Sequence, residues 1–343
     1  MHHRLVLAAS ILLSIISTAV LAASQTYTTL DPPGCGYAAV YAMSANGTIA
    51  GYCTEFFVIS AAGEYSYYRI PYGRLVDLTA VNNAGSTTGR YSPSLHAQFH
   101  EYARTAKGKV WYLDPPRSAN AQAEFAGINN LNQVSGDQEQ SDGISQGFVA
   151  DLFGQLTLYA VPGASDTFGG FINDSGVVAG SYYSSTIGGT HAYVRDQFGN
   201  ITPFDVPGAG TESAQGTFVG GLNSAGQISG AYVDSNYVAH GYIRNTDGTL
   251  TTFDAPNAGS GFVQGTWGMG INDAGEVAGY YYDSSYVAHG FFRDQSGNIT
   301  EFDDPSAGTG EGQGTMPVAI SNTGILAGIY YDSNFTVHAF KRQ

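Results

Sequence analysis

The feature that most constrains this chain is a glycine that follows a short apolar run and recurs seven times. These anchor glycines are Gly51, Gly89, Gly136, Gly180, Gly230, Gly279 and Gly328. They lie roughly 40 to 50 residues apart, which is the repeat length of a four-stranded propeller blade. The chain is therefore expected to consist of seven copies of one small unit, each packed against its neighbours.

Each unit is predicted to contain four short strands joined by glycine turns. In the sixth unit, residues 266–272 and 276–282 are the first two strands, and residues 289–293 and 299–303 are the third and fourth. Short strands with tight glycine turns predict an antiparallel meander. The many glycines (46) and tyrosines (24), without a sustained helical period of apolar residues, also favour strands over helices.

The two ends of the chain complement each other. The last unit stops after three strands, and residues 26–34 resemble residues 201–208, which are a fourth strand with its exit loop. We therefore predict an all-β fold: a seven-bladed β-propeller of four-stranded antiparallel blades, closed by an N-terminal strand that completes the last blade. Closure would remove the exposed sheet edge. An open β-solenoid is the alternative, and it leaves the complementarity of the two ends unexplained.

The first residues are predicted to be a targeting segment. A basic start (Met1–Arg4), an apolar run (Leu5–Val20) and small residues around Ala22 are typical of a secretory signal peptide, residues 1–22. Residues 23–343 are then a single propeller domain, secreted as a monomer to the extracellular space or the periplasm. No later stretch has the length of apolar sequence that a transmembrane helix needs, so membrane insertion is not expected.

The chain is acidic, with a formal net charge of −15. A strong negative field argues against nucleic acid or an anionic membrane as a partner, and it is compatible with Ca²⁺ or a basic partner. No other cofactor is implied. Cys35 and Cys53 bracket one predicted hairpin and are the candidate disulfide of an exported chain, although the sequence leaves open whether they are bonded.

A His-Ala/Gly-aromatic element opens the third strand of four units. It occurs at His191-Ala192-Tyr193, His240-Gly241-Tyr242, His289-Gly290-Phe291 and His338-Ala339-Phe340. Together with a Phe-Asp-x-Pro element at the fourth strand, this pattern resembles the bacterial extracellular-repeat proteins of the HAF family over essentially the whole mature chain. The resemblance implies export and a repeat fold, and it carries no catalytic residues. The first three units depart from the pattern at Glu55-Phe56-Phe57, His100-Glu101-Tyr102 and Gln146-Gly147-Phe148.

The meander topology gives each unit two unlike ends. Both glycine turns lie on one side, here called the short-turn face. The other side, the long-loop face, carries the loops between second and third strands and the crossovers between units, such as residues 207–215. Acidic residues are predicted to collect on the long-loop face. The basic residues predicted at the opposite end are Arg104, Arg195, Arg244, Arg293 and Arg342. Because binding residues concentrate on long loops held by a rigid scaffold, we place any site on the long-loop face.

An aspartate precedes a histidine by six residues in each of the last three complete loops. The pairs are Asp234/His240, Asp283/His289 and Asp332/His338. A carboxylate beside an imidazole can bind a metal or act as an acid–base pair. The alternative interpretation is that each histidine pairs with a loop aspartate or backbone group and holds the loop in place.

The same loops end in an aromatic residue. Tyr237, Tyr286 and Phe335 follow Asp-Ser-Asn or Asp-Ser-Ser, and an aromatic ring beside such polar groups is the combination that glycan recognition uses. Alternatively, the polar residues form a self-capping turn and the ring seals adjacent units.

Three glutamines precede a Gly-Thr pair where the crossovers enter the innermost strands. Gln215, Gln264 and Gln313 are expected near the mouth of a central channel, where they would bind a ligand or satisfy a loop carbonyl group.

These observations favour a secreted, non-enzymatic binding protein. It would recognise an extracellular glycan or a cell-surface partner on the acidic long-loop face. The first alternative is a secreted polysaccharide lyase or glycoside hydrolase of propeller fold, with candidate catalytic residues in the irregular second unit: Arg90, His96, His100 and Glu101. The second alternative is a structural surface protein that acts through its repeats alone.

Overall fold

The computed structural model describes residues 25–70, 75–92, 100–113, 123–151 and 155–343. The predicted signal peptide, residues 1–22, lies outside these ranges. Within them the chain forms 28 β-strands, and no helix there is long and apolar enough to cross a membrane. The strands are β1 (Tyr27–Thr29), β2 (Ala39–Met43), β3 (Ile49–Tyr52), β4 (Phe56–Ile59), β5 (Tyr65–Tyr68), β6 (Leu75–Val81), β7 (Thr87–Ser92), β8 (His100–Arg104), β9 (Val110–Leu113), β10 (Ala123–Ile128), β11 (Val134–Glu139), β12 (Ser145–Ala150), β13 (Leu156–Tyr159), β14 (Asp166–Ile172), β15 (Val178–Tyr183), β16 (Thr190–Arg195), β17 (Ile201–Phe204), β18 (Gly216–Leu222), β19 (Ile228–Val233), β20 (Ala239–Arg244), β21 (Leu250–Phe253), β22 (Gly265–Ile271), β23 (Val277–Tyr282), β24 (Ala288–Arg293), β25 (Ile299–Phe302), β26 (Gly314–Ile320), β27 (Leu326–Tyr331) and β28 (Val337–Arg342).

The strands form seven antiparallel meanders in chain order. Repeats one to six each contain four consecutive strands, beginning with β2, β6, β10, β14, β18 and β22, and repeat seven contains β26, β27 and β28. The N-terminal strand joins repeat seven, because β1 pairs antiparallel with β28 and places Tyr27 opposite Arg342. The side chain of Asp31 extends this junction by accepting a hydrogen bond from the backbone N–H of Ala339 (3.1 Å).

Each repeat buries one aromatic side chain of its third strand opposite the anchor glycine of its second strand. These fully buried residues are Phe57, Tyr102, Phe148, Tyr193, Tyr242, Phe291 and Phe340. In repeat six, a Cβ at Gly279 would lie 2.0 Å from the carbonyl oxygen of Trp267 and 2.8 Å from the ring of Phe291. A Cβ at Gly89 or Gly328 would likewise collide with a carbonyl oxygen of the first strand, at 2.0 and 2.2 Å. Glycine therefore recurs because the backbone of the first strand leaves no room for a side chain at this position.

The prediction of a seven-bladed β-propeller with separate four-stranded antiparallel blades is wrong for the sheets observed. Repeats one to three form three separate four-stranded sheets, but repeats four to seven and β1 form one 16-stranded sheet. That sheet is mixed, because β16, β20 and β24 each also pair in parallel with the first strand of the next repeat. Over the described part of the chain its path runs from β1 to β14 and does not close on itself.

Three glycines explain why these repeats merge. The parallel pairs are Thr190 with Gly216, Ala239 with Gly265, and Ala288 with Gly314. A Cβ at Gly216, whose φ is +119°, would lie 2.0 Å from the carbonyl oxygen of Thr190, so only glycine allows the two backbones to approach. Asp166 stands at the equivalent position of β14, and the preceding repeat remains a separate sheet.

The first turns of successive repeats are joined by side-chain amides. In repeats two to six, the Nδ2 group of an asparagine in the first turn donates to a carbonyl oxygen in the first turn of the next repeat. Asn82, for example, donates to the carbonyl oxygen of Asn129 (3.0 Å). The asparagines that do so are Asn82, Asn129, Asn173, Asn223 and Asn272. The last repeat contacts the first, because the backbone N–H of Asn322 donates to the carbonyl oxygen of Ala45 (2.8 Å). The seven first turns consequently surround a common cavity.

Cys35 and Cys53 are joined by a disulfide bond, with their Cα atoms 6.0 Å apart. The bond links the segment between β1 and β2 to the residue that follows β3. Both ends of this link lie close to the junction between the N-terminal strand and repeat seven, because Cys53 packs in one core cluster with Ala327 and Ala339.

Candidate functional site

The loops between second and third strands of repeats five to seven are held by their own aspartates. Oδ1 of Asp234 accepts hydrogen bonds from the backbone N–H groups of Asn236 (2.8 Å) and Val238 (2.9 Å), and Asp283 and Asp332 cap their loops in the same way. Partial burial would raise the pKa of Asp234, but these hydrogen bonds outweigh it and hold the pKa below its ordinary value. The predicted Asp-Ser-Asn capping turn is therefore present.

The histidines that open the third strands of repeats five and six lie closest to a different aspartate from the one six residues before them. Nδ1 of His240 lies 2.9 Å from Asp254, and Nδ1 of His289 lies 2.9 Å from Asp303. These partners come from the Phe-Asp-x-Pro elements at the fourth strands. The signal that could have found them is the constant interval of 14 residues from histidine to aspartate.

The loop aspartates are the second partners of the same histidines. Nε2 of the histidines in repeats five to seven lies 3.7 to 3.9 Å from the loop carboxylates, and each ring stacks on a tyrosine at 4.9 to 5.1 Å. The hydrogen bond to Asp303 is the main cause that raises the pKa of His289, with Asp283 adding to it. The arrangement places each of these rings between a loop carboxylate and the carboxylate that its Nδ1 contacts.

The aromatic loop tips lie at the surface in an unusual backbone conformation. Tyr237, Tyr286 and Phe335 have φ of 64°, 61° and 60°, in the left-handed region that non-glycine residues seldom adopt. Phe335 is 60% exposed. This geometry comes from the capping turn, because each aromatic N–H donates to the carbonyl oxygen of the loop aspartate.

The crossover between repeats five and six adds two exposed apolar residues, Phe262 and Val263, which sequence reasoning missed. The ring of Phe262 is 61% exposed and lies 5.1 Å from the ring of Tyr237, and its carbonyl oxygen accepts a hydrogen bond from the hydroxyl group of Tyr286 (3.1 Å). We call Tyr237, Phe262, Val263 and Tyr286 the aromatic patch. No periodic signal could have found Phe262, because Ser213 and Glu311 occupy the equivalent positions of the neighbouring crossovers.

The three predicted glutamines face into their own crossovers. Gln215, Gln264 and Gln313 are buried. Oε1 of Gln264 accepts a hydrogen bond from the backbone N–H of Gly261 (2.8 Å), and the other two glutamines bind their crossovers in the same way. They shape the loops that carry the aromatic patch.

The candidate catalytic residues of the second repeat lie on neighbouring strands. Arg90 is opposite Glu101 and Tyr91 is opposite His100 in the β7–β8 pairing. Nε of Arg90 lies 2.8 Å from Oδ2 of Asp77, His100 stacks on Tyr91, and Glu101 is only 1% exposed. The fourth candidate, His96, lies outside the described residues.

The third-strand arginines lie over aromatic rings of the preceding repeat at 4.1 to 5.1 Å, so they join repeats.

In the part of the chain that the structure describes, no group of three or more histidine, cysteine, aspartate or glutamate side chains is arranged to hold a metal ion.

No family model matches this chain, and no curated protein sequence does. In fold it is similar to solved β-propeller-like structures. Puromycin hydrolase (an S511A mutant complexed with PGG) aligns with a TM-score of 0.58 and 11% identity over 89% of this chain and 52% of that one. A structure from a study of two prolyl endopeptidases aligns with a TM-score of 0.54 and 11% identity, over 92% of this chain and 46% of that one. The BP39L lectin from Burkholderia pseudomallei aligns with a TM-score of 0.50 and 9% identity, over 92% of this chain and 94% of that one.

The chain thus spans about half the length of the first two proteins and nearly the whole lectin. At these identities the likeness shows a shared propeller-like, all-β fold and nothing of activity.

Proposed function

We propose that this chain is an exported, non-enzymatic protein that binds an extracellular glycan on its long-loop face, centred on the aromatic patch. Export rests on the signal-like residues 1–22 and on the resemblance to the HAF repeat proteins. The similarity to the BP39L lectin supports this proposal, because it covers nearly the full length of both chains and indicates that a fold of this kind is compatible with sugar binding.

The observation that carries the proposal is the left-handed backbone of the aromatic loop tips. Such a conformation costs a non-glycine residue about 1–2 kcal/mol, and glycine would adopt it without that cost. Three repeats nevertheless place Tyr237, Tyr286 or Phe335 there. Backbone strain of this kind is concentrated at ligand-binding sites, where contacts between the side chain and the ligand offset the free-energy cost of the strained backbone.

The chemistry of the patch fits a sugar. A pyranose ring presents an apolar C–H face with hydroxyl groups around its edge, so it suits an exposed aromatic ring flanked by hydrogen-bonding groups. Phe262 supplies the most exposed ring, and Asn236 and Ser285 lie in the adjoining loops. The loop carboxylates keep lone pairs available, because a carboxylate accepts about four hydrogen bonds.

The test is co-sedimentation of residues 23–343 with insoluble cellulose, chitin, xylan and peptidoglycan, with mass spectrometry of the supernatant. Phe262→Ser is expected to weaken retention about tenfold, the usual order for truncating an anchoring aromatic residue. Leu131→Ser is the matched control, because Leu131 is exposed on the short-turn face. New oligosaccharides in the supernatant would contradict a non-enzymatic role, and equal retention of the two variants would contradict the assignment of the patch.

A further inference from the structure

The seven first turns surround a cavity of about 200 Å³ that opens on the short-turn face, opposite the aromatic patch. We call it the central cavity. Every repeat contributes residues to its wall. Its size suits a small ring or a branched alkyl group, since an engineered cavity of about 150 Å³ accommodates benzene.

One repeat breaks the symmetry of this wall. In each repeat, one residue of the first strand pairs with the residue that precedes the anchor glycine in the second strand. This first-strand residue is alanine or glycine in six repeats: Ala42, Ala80, Gly127, Gly221, Gly270 and Ala319. In repeat four the same pairing position holds Phe171, opposite Ala179. Its side chain lines the central cavity and is 39% exposed. A large exposed aromatic ring in a concave site is more informative than one on a convex surface.

The rim of the cavity is negatively charged. Asp174 and Asp273 line it, and no lysine, arginine or histidine is among its described lining residues. Asp174 accepts hydrogen bonds from the backbone and side chain of Asn130, and Asp273 from the backbone of Ser224 and the side chain of Asn322. These bonds neutralise no charge, since all the donors are uncharged, and each carboxylate keeps further acceptor sites.

Asp273 is ionised at neutral pH. Its partial burial would raise the pKa, but the hydrogen bonds from Ser224 and Asn322 outweigh this effect and hold the pKa below its ordinary value. An anionic ligand is therefore disfavoured at this rim, and a cation is favoured.

We propose that the central cavity binds a small organic cation, an alkylammonium or quaternary ammonium group, with Phe171 against the cation and Asp174 and Asp273 at the rim. An ammonium ion over an aromatic ring is attracted by the negative face of the ring, and the attraction grows when the ion leaves bulk water. The aromatic side chain offers a metal ion no ligand atom, and the two carboxylates offer a neutral apolar ligand no favourable contact. This site is independent of the glycan site on the opposite face.

The test is isothermal titration calorimetry of residues 23–343 with choline and with 3,3-dimethylbutan-1-ol, its uncharged isostere. Choline is expected to bind and the isostere to bind more weakly. Phe171→Gly installs the residue that repeats three, five and six carry, so the fold should tolerate it. It is expected to weaken choline binding about 2- to 30-fold, the range of a cation–π contact. Asp273→Asn is expected to weaken binding of choline and leave that of the isostere unchanged.

Phe198→Gly is the matched control, because Phe198 lies in repeat four on the same face and is 82% exposed, away from the cavity lining. It is expected to bind choline as the unchanged protein does. Equal binding of choline and its isostere, equal binding by Phe171→Gly, or no binding of choline, ethanolamine or tetramethylammonium would overturn the proposal. Circular dichroism and polysaccharide retention report folding of each variant separately, so a negative result here is distinguishable from failure of the glycan proposal.

Discussion

Replacing Phe335 by glycine should leave the protein more stable than replacing it by alanine. Phe335 has φ of 60°, and its ring is 60% exposed. Both substitutions remove the same ring, so the lost packing cancels when the two variants are compared. What remains is the backbone: alanine retains the cost of the left-handed conformation, about 1–2 kcal/mol, and glycine does not.

Glycine also increases the conformational entropy of the unfolded chain, which lowers stability by about 0.4–1 kcal/mol relative to alanine. The midpoints of these two ranges leave the Phe335→Gly variant more stable than Phe335→Ala by about 0.8 kcal/mol. In a chain of this size that corresponds to about 1–3 °C in Tm. The assay is urea and thermal denaturation of both variants, followed by circular dichroism.

Ser333 is the matched control in the same loop, because its φ does not lie in the left-handed region. There the order should reverse, with Ser333→Ala more stable than Ser333→Gly by about 0.4–1 kcal/mol. If alanine is the more stable replacement at position 335 as well, the loop tip is not strained, and the main argument for a ligand-binding role of the aromatic tips fails.

Two further predictions concern the histidine clusters and the disulfide. The folded-state pKa of His289 is raised above 6.5, mainly by Asp303, so its stabilising contribution is fully present below pH 6.5 and is lost as pH rises through the folded pKa. His289→Gln should therefore destabilise the protein more at pH 6 than at pH 9 in thermal denaturation; a larger effect at pH 9 would contradict this sign. Cys35 and Cys53 are 18 residues apart, and loss of the cross-link in a Cys35→Ala/Cys53→Ala variant should lower the free energy of unfolding by about 3 kcal/mol. Urea denaturation measures this loss, and an unchanged midpoint would show that the bond does not restrain the unfolded chain.

The repeating strands could be predicted from the sequence because their causes are local. The predicted strands at 276–282, 289–293 and 299–303 correspond to Val277–Tyr282, Ala288–Arg293 and Ile299–Phe302. An anchor glycine opposite a buried aromatic residue, with glycine turns on either side, constrains each hairpin within its own repeat. The pairing of β1 with β28 was also predictable, because an incomplete repeat at one end matches a single strand at the other.

The joining of the sheets was decided by contacts between repeats. The close approach of Gly216, Gly265 and Gly314 to the preceding repeat merges four repeats into one mixed sheet. Strand periodicity does not contain this information, because it depends on how far apart two backbones lie after the repeats have packed.

The sequence alone determined the all-β repeat, the N-terminal strand's partner and the aspartate-capped loops, since each follows from residues close together in one unit or from matching ends. Only the tertiary structure decided that His289 takes Asp303 as its first partner, that Phe262 joins two loop tips, and that Phe171 stands in a cavity bordered by all seven repeats. The physical reason is that these contacts join residues from different strands or repeats, and a side chain's neighbours across such a junction are set by packing and not by spacing along the chain.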